Sequence, residues 1–212
     1  RTPENIAALI ATQCRGLGKG AQQVLLAIAV LESRASTSRA TQVLELPAAE
    51  FMGALEELDV MGLVASVGPV VRVRHQMIGE VVQSLAGARV VDFTHGRVGE
   101  VLEREADETE SVELLGDCVT HWERAGETRR AFAAAMKLGH RLIGLGLGEE
   151  AEKAFATAER CSQNDIEKRS AIEGGISASR LSWNWANVVR LCNERRAVIP
   201  ATDSRDDEFA YA

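Results

Sequence analysis

Six residues near the start of the chain have the composition of a phosphate-binding loop. Residues 15–20 read RGLGKG, and glycine-rich loops that contain a lysine hold nucleotide phosphates through their backbone N–H groups. The spacing nevertheless departs from the GxxxxGK[ST] pattern, because Gly20 stands where a metal-binding hydroxyl is required. No strand pattern precedes these residues. We therefore interpret residues 15–20 as a break between two helices.

The side chains that could bind a metal ion are scattered along the chain. The four histidines are isolated from one another, and no HExxH or mixed Cys/His spacing occurs; they are His75, His95, His121 and His140. The four cysteines form no CxxC pair and stand in apolar, helical contexts; they are Cys14, Cys118, Cys161 and Cys192. This usage is typical of buried, reduced thiols in a cytoplasmic protein. The sequence predicts no metal site.

Catalysis is also poorly supported. No GxSxG nucleophile motif is present, and acid pairs such as Glu56–Glu57 and Glu149–Glu150 are typical of solvated helix faces. We therefore predict that the chain is not an enzyme.

The composition favours packed helices. Of the 212 residues 46% are hydrophobic but only 4% are aromatic, and the net charge is −7, of which −6 falls after residue 95. The sequence has no signal peptide and no apolar run that approaches the ~18 residues of a membrane span. It begins at Arg1 rather than Met, so we expect a fragment of a larger protein.

The hydrophobic period changes twice within residues 55–82. A helical pattern stops at Gly62, residues 63–65 and 70–74 read as two short strands around Gly68-Pro69, and His75 opens a further helical run. Earlier helices are predicted around residues 6–13 and 24–31, then from the Ser36 region to Leu46, and from Pro47 onward. This outline predicts a winged-helix domain over residues 1–87.

The remainder of the chain reads as helices only. Helical starts near Glu149 and Asn184 lie about 35 residues apart, close to the ~34-residue period of tetratricopeptide helix pairs. The sequence therefore predicts a mainly α-helical chain, with antiparallel tetratricopeptide-like repeats over residues 88–199 and a tail or linker over residues 200–212. Trp183 and Trp185 flank a helix start, and we expect one of them to be exposed and the other to pack in the core.

The charge of the helix before the hairpin argues against DNA binding. Residues 47–61 contain four carboxylates, Glu50, Glu56, Glu57 and Asp59, and no lysine or arginine. Carboxylates repel DNA phosphates, and two arginines on the hairpin, Arg72 and Arg74, do not offset four of them. We predict that this part of the chain does not bind nucleic acid directly.

In order and spacing, the segments resemble the middle of the large STAND-type ATP-dependent regulators of bacteria, the MalT-like or LuxR-type group. The resemblance rests on an apolar helix at residues 21–31, on ALEEL followed by GLV at residues 54–64, and on VRVRHQMIGEVV at residues 71–82. It continues with His95 and the run at residues 98–102, and with HWERAGE at residues 121–127. It implies a cytoplasmic transducer that relays an inducer or a protein partner on its helical repeats to a neighbouring ATPase domain.

The resemblance also singles out His75. In related switch ATPases a histidine at the junction between hairpin and helix contacts the phosphates of bound ADP, so ATP or ADP is expected in the intact protein and no cofactor in this segment. A helix N-terminus and an imidazole donor together favour an anion. The alternative is that His75 caps or packs against its own helix. Two other functions stay open, a stand-alone helical scaffold for protein interactions and, less favoured, a DNA-binding repressor.

Overall fold

The computed structural model describes residues 3–198, and within them the protein is mainly helical with one small sheet. The first helices are α1 (Pro3–Gly16), α2 (Lys19–Leu31), α3 (Thr37–Leu44) and α4 (Ala48–Val60). The strands β1 (Val64–Val67) and β2 (Val70–Val73) follow, and then α5 (Gln76–Ala86) and α6 (Ala88–Thr109). The last helices are α7 (Val112–Arg124), α8 (Thr128–Gly144), α9 (Gly148–Cys161), α10 (Asp165–Leu181) and α11 (Trp185–Val198).

The chain divides into two compact units. Among the described residues, unit 1 comprises residues 3–105 and Arg124–Gly126, and unit 2 comprises Ala106–Glu123 and residues 127–198. The division falls within α6, after Glu105, whereas the predicted winged-helix domain ends at residue 87. The predicted tail over residues 200–212 lies outside the described residues.

Helix α2 is the centre of unit 1. From Val24 to Leu31 every residue of this helix is buried, because its sequence is apolar on all sides and must be surrounded by other elements. It packs against α3, α4, α5 and β2. Ser36 accepts a hydrogen bond from the Arg39 N–H and caps α3. Pro47 was predicted as the first helical residue of α4, but its extended ψ of 140° makes it the residue just before the helix.

The hairpin is short and antiparallel. Val64 pairs with Val73 and Val67 pairs with Val70, and Gly68, with φ +62°, supplies the left-handed turn between the strands. Ser36 forms an isolated bridge to Val70, so the segment between α2 and α3 is held along the edge of β2. The strands confirm the predicted hairpin.

Unit 2 contains two helix pairs of equal dimensions. Helices α8 and α10 both have 17 residues, and α10 begins at Asp165, 37 residues after Thr128. Helices α9 and α11 both have 14 residues, and Trp185 again follows Gly148 by 37 residues. The two helix pairs are therefore offset by 37 residues, and the helix starts predicted near Glu149 and Asn184 lie about 35 residues apart.

Phe155 of α9 occupies a notch between two glycines. A Cβ atom on Gly139 of α8 would lie 2.6 Å from Cζ of this ring, and one on Gly174 of α10 would lie 2.2 Å from its Cε1. His140 contacts the ring edge-on, at 5.2 Å between centroids. Glycine is required at both positions because the ring fills the space that a side chain would take. This contact draws α8, α9 and α10 together.

Candidate functional site

The outer face of α4 is acidic. Phe51, Ala54, Leu55 and Leu58 point into unit 1, and the opposite face exposes Met52 and Val60 together with the carboxylates. Glu57 accepts a hydrogen bond from the Gly18 N–H at 3.0 Å. The helix carries no basic side chain, as the sequence already indicated. An exposed face of this charge is unsuited to a phosphate backbone.

Arg74, which follows β2, is exposed but contacts its own unit. Its guanidinium donates to the Val64 carbonyl oxygen at 3.2 Å and lies 3.8 Å from Asp59. Both side chains of this ion pair are more than half exposed, so the pair contributes little to stability. Arg72 lies on the exposed side of β2.

His75 caps α5. Its Nδ1 accepts a hydrogen bond from the Met77 N–H at 3.2 Å, and its carbonyl oxygen accepts one from the Ile78 N–H at 2.9 Å. Because Nδ1 is an acceptor, the proton of the neutral ring is on Nε2. The side chain is exposed, so Nε2 remains available as a donor. His75 thus has the capping role of the alternative interpretation, and this role is compatible with an anion contact through Nε2.

A groove of about 630 Å³ adjoins α5. Its floor is apolar and is formed by Ile28, Ala29 and Gly79, and a Cβ atom on Gly79 would lie 3.7 Å from that of Ala29. Its rim is polar and consists of Glu32, Ser33, Arg72, Gln76, Glu80 and Gln83. An apolar floor with a few polar groups is typical of sites for small ligands or for a partner's side chains. The groove is therefore a concave surface along the start of α5, where Gln76 is the lining residue nearest to His75 in sequence.

Glu32 stands in a strained conformation at this rim. Its φ is +49° with ψ −120°, a combination that costs a residue with a Cβ on the order of 1–3 kcal/mol. Its carboxylate lies 3.3 Å from the Arg124 guanidinium. This backbone conformation ends α2 with a sharp turn, after which the chain reaches Ser36, the residue that pairs with Val70 of the hairpin.

Both turns at one end of unit 2 expose apolar side chains. Trp183 is 76% exposed and Trp185 is 55% exposed, and their rings meet edge to face at 6.1 Å between centroids. The prediction that one of them packs in the core is wrong. The α8–α9 turn contributes the exposed Leu145 and Leu147. The two turns are adjacent, since a Cβ atom on Gly148 would lie 2.7 Å from the Ser182 backbone nitrogen.

Trp183 occupies a position that favours glycine. Its φ is +60°, and Gly146, which lies 37 residues earlier, has a φ of +77°. The two turns also have the same internal hydrogen-bond pattern. The N–H of Gly146 donates to Ile143 O at 2.9 Å, and the N–H of Trp183 donates to Arg180 O at 3.3 Å. A left-handed conformation is unusual for a bulky residue. The second turn therefore presents an indole ring where the first has no side chain.

A polar network braces the turn between α10 and α11, which contains Trp183 and is called the tryptophan turn below. The Glu152 carboxylate of α9 accepts hydrogen bonds from the Ser182 hydroxyl and from the side-chain amides of Asn184 and Asn187, the amides at 3.0 and 2.8 Å. Asn187 also donates to the buried Ser179 hydroxyl at 2.8 Å. Charge-assisted bonds of this kind are stronger than neutral ones. The turn is thus fixed to α9 and α10.

Two of the buried cysteines have thiols that are hard to deprotonate. Burial raises the pKa of the Cys14 thiol and, together with the nearby Glu123 carboxylate, that of Cys161, which disfavours the thiolate. Among residues 3–198 no cluster of three or more His, Cys, Asp or Glu side chains could hold a metal ion. His121 is buried.

No helix among the described residues is both long enough and apolar enough to cross a membrane. Comparison of the chain with models of protein families, with curated proteins and with solved structures gives no match.

Proposed function

We propose that the chain is the regulatory segment of an ATP-dependent transcriptional regulator of the STAND type. In this proposal unit 1 is a winged-helix module and unit 2 a stack of tetratricopeptide-like helix pairs. The order α3, α4, hairpin and α5, with the Ser36 bridge at the hairpin edge, supports the first assignment. Two equal helix pairs with a 37-residue offset, close to the ~34 residues of tetratricopeptide repeats, support the second.

The observation that carries the proposal is the charge of α4. In a winged helix that binds DNA the helix before the hairpin meets the phosphates, and here its exposed side chains are acidic and apolar. A module of this kind serves as a contact between domains. Binding of an inducer or partner to unit 2 would shift the population between a closed and an open arrangement of the intact protein.

His75 is assigned to the nucleotide-dependent step. Its Nδ1 is used by the α5 cap, and its Nε2–H faces outward, which suits a phosphate of ADP held by a neighbouring ATPase domain. The cap and the phosphate contact can be separated by mutation. Asparagine is a good N-cap residue but lacks the imidazole donor, so His75→Asn keeps the helix and removes the contact.

The test uses the gene product that contains this chain together with its flanking domains. We expect the wild-type protein to retain ADP on purification, and we expect His75→Asn to release ADP faster and to raise basal activity without lowering thermal stability. His75→Ala, which removes both roles, should also lower stability. An unchanged ADP release rate for His75→Asn would refute the nucleotide role.

A second experiment tests α4 directly. Fluorescence anisotropy of labelled duplex DNA, titrated with this chain at low salt, should show no binding. Salt-sensitive binding that α4 variants such as Glu56→Gln strengthen would favour the DNA-binding repressor instead.

A stand-alone scaffold for protein interactions is the second candidate function. The braced tryptophan turn favours it, because exposed tryptophans in a rigid frame are typical centres of protein interfaces. A gene that encodes no ATPase domain beside this chain would select the scaffold over the regulator.

A further inference from the structure

We infer that the tryptophan turn of unit 2 is a docking site for a basic, apolar peptide segment of a partner protein. The tryptophan surface comprises Trp183 and Trp185 with the neighbouring Leu145, Leu147 and Leu181, all of them exposed. The inference deepens the interaction role of unit 2 that both proposed functions contain.

The strain at Trp183 is the first argument. The equivalent turn satisfies the same backbone hydrogen bonds with Gly146, so the fold of the turn has no need of a side chain at this position. A tryptophan there is less stable than glycine, because only glycine adopts positive φ without steric cost. The indole ring therefore lowers the stability of the turn, while it contacts Trp185 and is otherwise largely exposed to solvent.

Rigidity is the second argument. Glu152 holds Ser182, Asn184 and Asn187, and these residues bracket Trp183 and Trp185 along the chain. The rings are consequently oriented before a partner arrives, which lowers the entropic cost of binding. Tryptophans in such a setting contribute most to interface energy.

Charge selects the kind of partner. Glu149 and Glu150 are exposed in the first turn of α9, and neither is paired within residues 3–198. Glu149 lies three residues before Glu152 and thus on the face of α9 that meets the turn. The nearby basic side chains in sequence are Arg180 of α10 and Lys153 of α9, and the carboxylates Glu149, Glu150 and Glu152 outnumber these two.

The tryptophan faces favour the same partner. Indole rings attract ammonium and guanidinium groups through their π-electrons, and their edges offer apolar area. A segment with lysine or arginine beside leucine, isoleucine or phenylalanine would place its cations against Glu149 and the rings. Its apolar side chains would pack on Leu145, Leu147 and Leu181.

Selection from a random peptide phage library on the full chain tests the inference, with subtraction on Trp183→Gly. We expect enriched peptides to combine basic and apolar residues and to quench tryptophan emission. Trp183→Gly should weaken the best peptide by at least about tenfold while raising the urea midpoint, because it relieves strain. Loss of binding with gained stability separates a docking role from a structural one.

The matched charge variant is Glu149→Gln, for which we expect a weaker interaction with a smaller dependence on salt. No enrichment, enrichment of acidic peptides, or equal binding to Trp183→Gly would each overturn the inference. These outcomes are independent of ADP retention and DNA binding, which test unit 1 and the proposed regulator.

Discussion

The two units solve the problem of packing helices in different ways. Unit 1 surrounds α2 with large aliphatic side chains, among them Val24, Leu25 and Ile28, which are fully buried. In unit 2 the helices α8, α9 and α10 approach closely because Gly139 and Gly174, which have no side chain, lie against the large ring of Phe155. A core of the first kind depends on filled volume and one of the second kind on close approach. Equal substitutions should therefore have opposite effects in the two units.

Tryptophan emission distinguishes the units experimentally. All three tryptophans, Trp122, Trp183 and Trp185, belong to unit 2. Urea unfolding followed by tryptophan emission thus reports on unit 2, whereas far-ultraviolet circular dichroism reports on the helices of both. Hydrogen exchange of α2 and α4 peptides reports on unit 1.

The largest effect is expected for Phe155→Ala. The substitution removes a fully buried ring and leaves a cavity between two glycines, which should cost unit 2 about 3–5 kcal/mol. The tryptophan-detected urea midpoint should fall. Hydrogen exchange of α2 peptides, which reports on unit 1, should change less. A loss below about 1 kcal/mol would mean that the helices close over the gap and that the notch is not rigid.

Gly174→Ala should be the next largest. The new methyl would lie 2.2 Å from Cε1 of Phe155, and the ring cannot move away because Gly139 lines the notch from α8. Overpacking of this kind costs about 1–3 kcal/mol, against a gain of up to ~1 kcal/mol in helix propensity. The net expectation is a lower tryptophan-detected midpoint.

Gly144→Ala is the matched control for this substitution. It lies at the end of α8 in the same unit, and a Cβ atom there would meet nothing within 4 Å. The double variant Phe155→Ala/Gly174→Ala should lose less unfolding free energy than the sum of the two single losses. The reason is that the new methyl group enters the space that the ring leaves. Strict additivity would show that position 174 acts through something other than Phe155.

The elements were predictable where local chemistry determines them. The apolar run at Val24–Leu31 indicates a helix that other elements surround, and Gly68-Pro69 between two apolar runs indicates the hairpin turn. His75 was placed correctly at the start of α5, because an extended strand pattern ends there. The helical content and the hairpin thus follow from hydrophobic period and turn residues.

Tertiary contacts explain what the sequence could not predict. In the sequence, Gly139 and Gly174 look like ordinary helical glycines that lower helix stability. The position of Phe155 explains why a larger residue does not fit at either position. Trp183 was expected near a helix start, but its exposure follows from a positive φ in a turn whose counterpart is Gly146. An alignment of the two turns at the 37-residue offset would have shown that Trp183 stands at the position equivalent to Gly146.

A pH effect on unit 1 is expected from His95. This residue is buried, and burial, followed by the nearby Arg124 charge, lowers its pKa from the ordinary 6.5. The unfolded chain therefore binds the proton first as pH falls, so this contribution to stability is present above about pH 6.5 and is lost through the lower folded pKa. Exchange of unit 1 peptides should accelerate over this range.

His95→Gln tests the assignment, because it removes the titrating group. The acceleration of unit 1 exchange between neutral pH and about pH 5.5 should be smaller in this variant than in the wild type. Acidification further, toward the range of carboxyl groups, should destabilise both proteins alike, since Arg39 lowers the pKa of Glu105 in unit 1 and Lys137 that of Asp107 in unit 2. An identical pH profile near pH 6 for wild type and His95→Gln would locate the titration elsewhere.

The smallest effect, and the one of opposite sign, is expected for Gly53→Ala. Gly53 lies in the interior of α4 on its exposed side, and a Cβ atom there would meet nothing within 4 Å. Alanine should stabilise unit 1 by about 0.5–1 kcal/mol, since it restricts the unfolded chain and favours the helix. Exchange of α4 peptides should slow, and the tryptophan-detected midpoint should not change. Because Gly174→Ala applies the same methyl to a closed notch, a stabilising Gly53→Ala beside a destabilising Gly174→Ala would establish that close approach, rather than helix propensity, determines where this chain requires glycine.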